Sequence, residues 1–136
     1  FFLEHVLNKG DFKVQVKEQP GSSAVVQSIA NDRSGIGYSG IGYETANVRA
    51  VPLAAGPGEK YIPPTAEFAY TGEYPLARFL LLTVNYKPGG KLDPLRREFV
   101  KFILSKQGQE IVAREGYFPV TEAIARQMLD KVGISE

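Results

Sequence analysis

The stretch that decides the fold reads Gly21-Ser-Ser-Ala-Val-Val-Gln-Ser-Ile-Ala-Asn-Asp32, followed two residues later by Gly35-Ile-Gly-Tyr-Ser-Gly-Ile-Gly-Tyr43. In the first part, Ser22 or Ser23 can cap a helix that runs to about Asn31. The second part is a tandem Gly-Ile-Gly-Tyr rich in β-formers, which predicts a strand. A helix followed directly by a glycine-rich strand favours an α/β fold.

The tandem repeat has an offset of five residues, which places Ile36 and Ile41 on opposite faces of a regular strand and predicts a bend between them. Its glycines at 35, 37 and 40 match the pattern G-x-G-x-x-G of dinucleotide-binding proteins. Those glycines must follow a strand and open a helix, whereas here they follow a helix and lie within the strand. We therefore interpret them as sites of bending and of close backbone approach, not of nucleotide binding.

Working outward, further strands are predicted at 14–16, at 48–53 and within 74–85. In the last of these, Phe79 to Val84 is apolar on both faces, as in a strand buried on both sides of a sheet. The Gly- and Pro-rich stretch from Ala54 to Gly72 is predicted to be a linker.

The last third of the chain is predicted to be mainly helical. Asp93-Pro94 provides a cap and a first-turn proline for one helix, Ser105 caps a second that closes at Gly116, and a third spans about Glu122 to Val132. The chain also opens within a short helix, Phe1 to Leu7, without a capping residue or an initiator Met. We expect from this that the sequence is a piece of a longer protein.

Composition excludes several classes of function. The 136 residues carry a net charge of +1, one histidine and no cysteine. The absence of cysteine excludes disulfides, thiolate metal sites and cysteine nucleophiles. A single histidine leaves few side chains for a zinc site or a histidine-based triad. We predict no enzyme activity, no cofactor, no metal site and no nucleic-acid partner.

One local feature favours ligand binding. Pro20-Gly21-Ser22-Ser23-Ala24 places small residues and two hydroxyls at a helix start, where free N–H groups and the helix dipole attract an anion. A plain N-cap explains the same residues, and no Lys follows as in a P-loop. Gly21, Ser22 and Ser23 are the candidate ligand-binding residues.

Taken together, the segments resemble the phosphate-binding proteins of bacterial phosphate ABC transporters, the periplasmic PstS family. The resemblance is carried by the two stretches quoted first, by Tyr74-Pro-Leu-Ala-Arg-Phe-Leu81, and by a helix ending in Leu104-Ser-Lys-Gln-Gly-Gln109 with the turn Gly116-Tyr-Phe-Pro119. The Leu-Ser-x-x-Gly-Gln and Gly-Tyr-x-Pro pieces occur in many type II solute-binding proteins, whereas the other pieces point more narrowly to phosphate.

The resemblance implies the C-terminal part of a two-lobed type II fold that closes on phosphate through neutral donors and helix ends. Residues 1–73 would form the second half of lobe two, including the linker 54–72. Residues 74–136 would form the returning hinge strand and the C-terminal part of lobe one. The family's main phosphate ligands would lie upstream of Phe1, so Gly21, Ser22 and Ser23 are expected only to support the site.

The same resemblance implies a periplasmic or extracytoplasmic protein, membrane-associated in Gram-positive bacteria, that passes inorganic phosphate to an ABC transporter permease. Two alternatives remain at this point: a binding protein for sulfate, molybdate or tungstate, and a sensor or interaction module that reuses the fold. Because each lobe would lack strands, self-association of the chain is a further hypothesis.

Overall fold

The computed structural model describes residues 1–134, in which helices are separated by extended segments and turns. The six α-helices are α1 (Phe2–His5), α2 (Ser22–Ala30), α3 (Ala66–Thr71), α4 (Pro94–Leu104), α5 (Lys106–Arg114) and α6 (Glu122–Lys131). A 3₁₀ turn spans Ile41–Tyr43, and so follows the interval between Ile36 and Ile41 in which a bend was predicted. Helix α3 lies inside the stretch predicted to be a linker and was missed by the sequence reasoning.

The chain divides into two compact units, the first spanning Phe1–Phe79 and the second beginning at Leu80. In the second unit, α4 packs against both α5 and α6. Its core consists of Val100 from α4, Ala125 from α6 and Ile134, each less than 9% exposed. Within the described part of the first unit, no hydrophobic side chain is buried to this extent.

The predicted helix caps of the second unit are confirmed. The Asp93 carboxylate accepts a hydrogen bond from the Arg96 amide at 3.1 Å, and the Ser105 hydroxyl accepts one from the Gly108 amide at 3.1 Å. Helix α6 begins after Thr121, whose hydroxyl caps Ile124, and its end is followed by Gly133 in the left-handed region. These caps satisfy amides that a helix start leaves without partners.

Gln109 fixes the turn that follows α5. Its side-chain amide donates to the Ile103 carbonyl at 2.8 Å, and its side-chain oxygen accepts from the Val120 amide at 2.8 Å. One side chain thus connects the end of α4 to the segment entering α6. Gly108 permits the tight corner before it, since a Cβ there would come within 2.7 Å of the Ile103 carbonyl oxygen and still closer to that of Phe102.

The α/β layout predicted for this chain is not confirmed in the described residues, in which the ladder pairing is limited to one isolated antiparallel bridge between Leu53 and Ile62. The segments 14–16, 35–40 and 79–84, predicted as strands, are not paired. A strand exists only where neighbouring backbone accepts and donates its hydrogen bonds, and a lone extended segment in water gains none of them. Sequence pattern identifies a segment that suits a sheet, but not whether the other strands are present.

The outer face of α4 also departs from expectation. Leu95, Phe99, Phe102 and Ile103 fall on one side of the helix, as in a helix that buries an apolar face, yet the first three are 80%, 55% and 44% exposed. The helix instead buries Val100, which lies on another side. The apolar stripe is present, but the rest of the described chain does not cover it.

The Tyr74 phenol makes a further contact within the first unit. The Tyr74 hydroxyl donates to the Val51 carbonyl at 3.4 Å, and burial raises the pKa of that phenol. Among residues 1–134, no helix combines the length and apolar character needed to cross a bilayer.

Replacing Gln109 by Ala removes both hydrogen bonds of its side chain, and we expect the chain to lose about 1–3 kcal/mol of stability because a partly buried carbonyl and amide lose their partners. Urea denaturation followed by circular dichroism measures the loss. Gln107→Ala is the matched control, since Gln107 is exposed on the same helix. Equal stability of the two variants would contradict a stabilising role for the Gln109 hydrogen bonds.

Candidate functional site

The predicted site residues lie together at the start of α2. Gly21 is the N-cap residue, and Ser22 and Ser23 are the first two residues of the helix. The expectation that a serine hydroxyl caps the helix is wrong, because no side chain accepts a hydrogen bond from its first turn. The serines enter the helix one position too late to act as its N-cap.

The uncapped start leaves donors available. The first backbone bond of the helix joins the Val25 amide to the Gly21 carbonyl at 3.1 Å, so the amides of Ser22, Ser23 and Ala24 have no acceptor within the helix. The first turn contains no acidic residue. A helix start with free amides and no carboxylate is suited to an anion.

The surface at Gly21 is open. A Cβ built on this residue would meet no atom within 4 Å, and its backbone is extended, with φ 173°. Neither space nor backbone conformation therefore requires glycine here.

The tandem repeat packs against α2 through its glycines. A Cβ on Gly37 would lie 3.0 Å from Val25 Cγ1 and 3.2 Å from Ile29 Cγ1. The repeat thereby approaches the helix more closely than a larger residue would permit, which confirms the interpretation of its glycines as sites of close approach.

Ser39, also in the repeat, reaches the start of the helix. Its hydroxyl donates to the Ser22 carbonyl at 3.2 Å. This contact could not be predicted from the sequence, because it spans 17 positions and no local spacing indicates it. The serine holds the repeat beside the candidate donors.

Helix α1 is held near the same repeat by aromatic stacking. The rings of Phe2 and Tyr38 are stacked with centroids 4.0 Å apart and an angle of 7° between their planes. His5, the one histidine, stacks on Phe1 and its Nδ1 lies 2.9 Å from the Phe1 carbonyl oxygen. These contacts give the histidine a local structural role.

A groove of about 230 Å³ runs along the other side of α2. Ser23 stands at the junction of the groove and the helix start. The lining is made of hydroxyl, amide and small apolar side chains and contains no charged residue: Ser23, Val26, Gln27, Ala30, Asn31, Tyr43, Thr45 and Asn47. Such a surface can hydrogen-bond a ligand but provides no nucleophile and base pair. Within residues 1–134, no group of three His, Asp or Glu side chains is placed to hold a metal ion.

Comparison with known proteins gives a consistent result. The chain is 46% identical over 134 residues to a protein of Pseudomonas aeruginosa named "Phosphate-binding protein PstS", an alignment that covers 98% of this chain and 42% of that protein. It is 30% identical over 133 residues to the protein of the same name from Staphylococcus aureus, covering 96% of this chain and 39% of that protein. No protein-family model matches the chain.

Both relatives are binding proteins by name, and the chain is similar to part of each of them. More particularly, it is homologous to PstS and corresponds to the C-terminal portion of such a protein, as its motifs predicted. The homology implies a type II binding-protein fold for the whole, although the helices and unpaired segments of this chain do not by themselves form an α/β sheet. The chain spans about two fifths of the length of the curated relatives it matches.

The contrast between Gly37 and Gly21 generates a stability prediction. Gly37→Ala is expected to destabilise the chain by about 1–3 kcal/mol, because the new methyl group overlaps Val25 and Ile29. Gly21→Ala is the control and should leave stability unchanged, since the methyl group enters open space. Thermal unfolding of the two variants measures the difference, and an unchanged melting temperature for Gly37→Ala would refute the close packing.

Proposed function

We propose that this chain forms part of a protein that captures inorganic phosphate outside the cytoplasmic membrane and delivers it to an ABC transporter permease. The observation that carries the proposal is the 46% identity to the Pseudomonas aeruginosa phosphate-binding protein over almost the entire chain. The proposed protein is a binding protein and not an enzyme. In a Gram-positive host, we propose that it is membrane-associated.

The proposed arrangement places residues 1–73 in one lobe and residues 74–136 in the returning hinge strand and the other lobe. Phosphate would bind between the lobes, with its main ligands supplied by parts of the protein outside this chain. Closure of the lobes would create the surface that the permease recognises.

The chemistry of the helix start supports a contribution to that site. Hydrogen phosphate accepts hydrogen bonds through several oxygens, and the free amides of the first turn of α2 are neutral donors oriented along the helix dipole. Neutral donors also suit a chain whose net charge is only +1. Gly21, Ser22 and Ser23 are accordingly proposed as supporting residues, Ser22 and Ser23 through their backbone amides and Gly21 as the residue that precedes these donors.

The binding proposal is tested with a chimera, in which this chain replaces the aligned 134 residues of the Pseudomonas aeruginosa protein. Isothermal titration calorimetry should show one phosphate bound per chimera at micromolar concentration. The chain alone should bind phosphate at least about 100-fold more weakly than the chimera does. A factor of this size corresponds to the loss of one or two charge-assisted hydrogen bonds. Sulfate is the specificity control. A chimera that folds but prefers sulfate, or ignores phosphate, would overturn the assignment.

The role of the α2 amides is tested by Ser22→Pro in the same chimera. Proline is well tolerated at the first helical position but lacks the amide donor, and the extended Gly21 before it is compatible with proline. We expect phosphate affinity to fall about 10-fold or more, the contribution of one charge-assisted bond. Ser22→Ala is the control, since it keeps the amide and should retain affinity. Full affinity in the proline variant would show that this helix start does not contact phosphate.

A further inference from the structure

The groove along α2, here named the α2 groove, lies within the first unit and shares only Ser23 with the proposed phosphate site. On its helix side, Ser23, Gln27 and Asn31 are spaced four positions apart and therefore form one polar row. Val26 and Ala30 also line the groove and are half-buried, whereas the polar row is exposed. The helix thus provides an apolar floor and a polar wall.

The opposite wall is the segment 43–47, which begins in the 3₁₀ turn that packs against α2. It contributes the polar side chains of Thr45 and Asn47 to the groove. The Glu44 carboxylate does not line the groove, and it accepts a hydrogen bond from the Ala50 amide at 3.0 Å. This bond closes the loop that carries the wall, so the wall is held in place before any ligand arrives.

The polar side chains of both walls retain capacity for hydrogen bonds. Among residues 1–134, the side chains of Gln27, Thr45 and Asn47 neither donate nor accept one. The Asn31 side-chain amide donates to the Gln27 carbonyl at 3.0 Å, which orients it and leaves its oxygen and second N–H for a ligand. Because an amide carries both a donor and an acceptor, the groove offers both kinds of partner.

The lining restricts the class of ligand. The residues that line the groove, all in the described first unit, carry no charge, so nothing there balances an ion. A wholly apolar ligand would cover the amides without giving them partners. The volume of about 230 Å³ lies below the range of about 300–1,000 Å³ typical of drug-sized ligands, which indicates a molecule of about one ring.

We propose that the α2 groove binds a neutral hexose. A sugar ring has hydroxyls around its rim, each a donor and an acceptor, and C–H groups on its faces. The hydroxyls would bond to the amides of the two walls, and a C–H face would lie on Val26 and Ala30. The Tyr43 ring, which also lines the groove, supplies further contact area. This site is additional to the proposed phosphate site and does not depend on it.

The test is a two-dimensional NMR titration of the isotopically labelled chain with methyl β-glucopyranoside. We expect a dissociation constant of about 1–10 mM, typical of a few neutral hydrogen bonds in an open groove, with shifts at the side-chain amides of Gln27 and Asn47. Cyclohexanol, which has a ring of the same size but one hydroxyl, should bind at least about 5-fold more weakly. Equal binding of the two probes, or no shift of these amides with the glucoside, would overturn the inference.

Variants in the two walls supply the matched comparison. Gln27→Ala and Asn47→Ala each remove one amide and should weaken glucoside binding about 5-fold. Ser28→Ala is the control, since Ser28 is exposed on the same helix but does not line the groove. Circular dichroism checks that all three variants fold like the parent chain. Unchanged affinity in either wall variant, or an equal loss in the control, would contradict the proposed contacts.

The chimera described above separates this inference from the proposed function. The glucoside should bind the chimera with an affinity within about twofold of that for the chain alone, with or without phosphate, as expected for uncoupled sites. Binding of the glucoside without phosphate binding would refute the proposed function alone. Phosphate binding without glucoside binding would show that the groove is covered or inactive in the whole protein, and would refute this inference alone.

Discussion

The hydrogen-bonding requirement of extended backbone is the constraint on which the structure of this chain depends. Helices satisfy their backbone groups within one segment, and α4, α5 and α6 accordingly form wherever caps and apolar spacing allow. Strands need a second segment. Where none is present in the chain, apolar sequences that suit a sheet remain extended and exposed, as Leu81 shows.

This distinction explains which parts of the fold were predictable. Local signals determine these helix starts, and the caps at Asp93 and Ser105 were predicted from residue type in the sequence. The predicted strands failed because pairing is a property of the whole fold. Helix α3 was missed for the opposite reason, since its Gly- and Pro-rich surroundings mask a short helical run.

The candidate site was predictable to a similar degree. Small residues before an apolar helix indicated an open helix start, and Gly21, Ser22 and Ser23 do lie there. The sequence could not show that neither serine hydroxyl caps the helix, nor that Ser39 contacts Ser22, because that contact depends on how closely Gly37 approaches α2. The similarity to PstS, by contrast, was predictable from the sequence, because the order of the motifs along the chain does not depend on whether a sheet forms.

We propose that the unpaired apolar segments of this chain are sheet strands in a PstS-type protein. A crystal structure of the chimera with the Pseudomonas aeruginosa protein tests it most directly. In that structure, Leu80–Val84 should be hydrogen-bonded to neighbouring strands on both edges, and Leu81 should be buried. If the same segment were exposed and unpaired in the folded chimera, it would not be a sheet strand of a PstS-type protein.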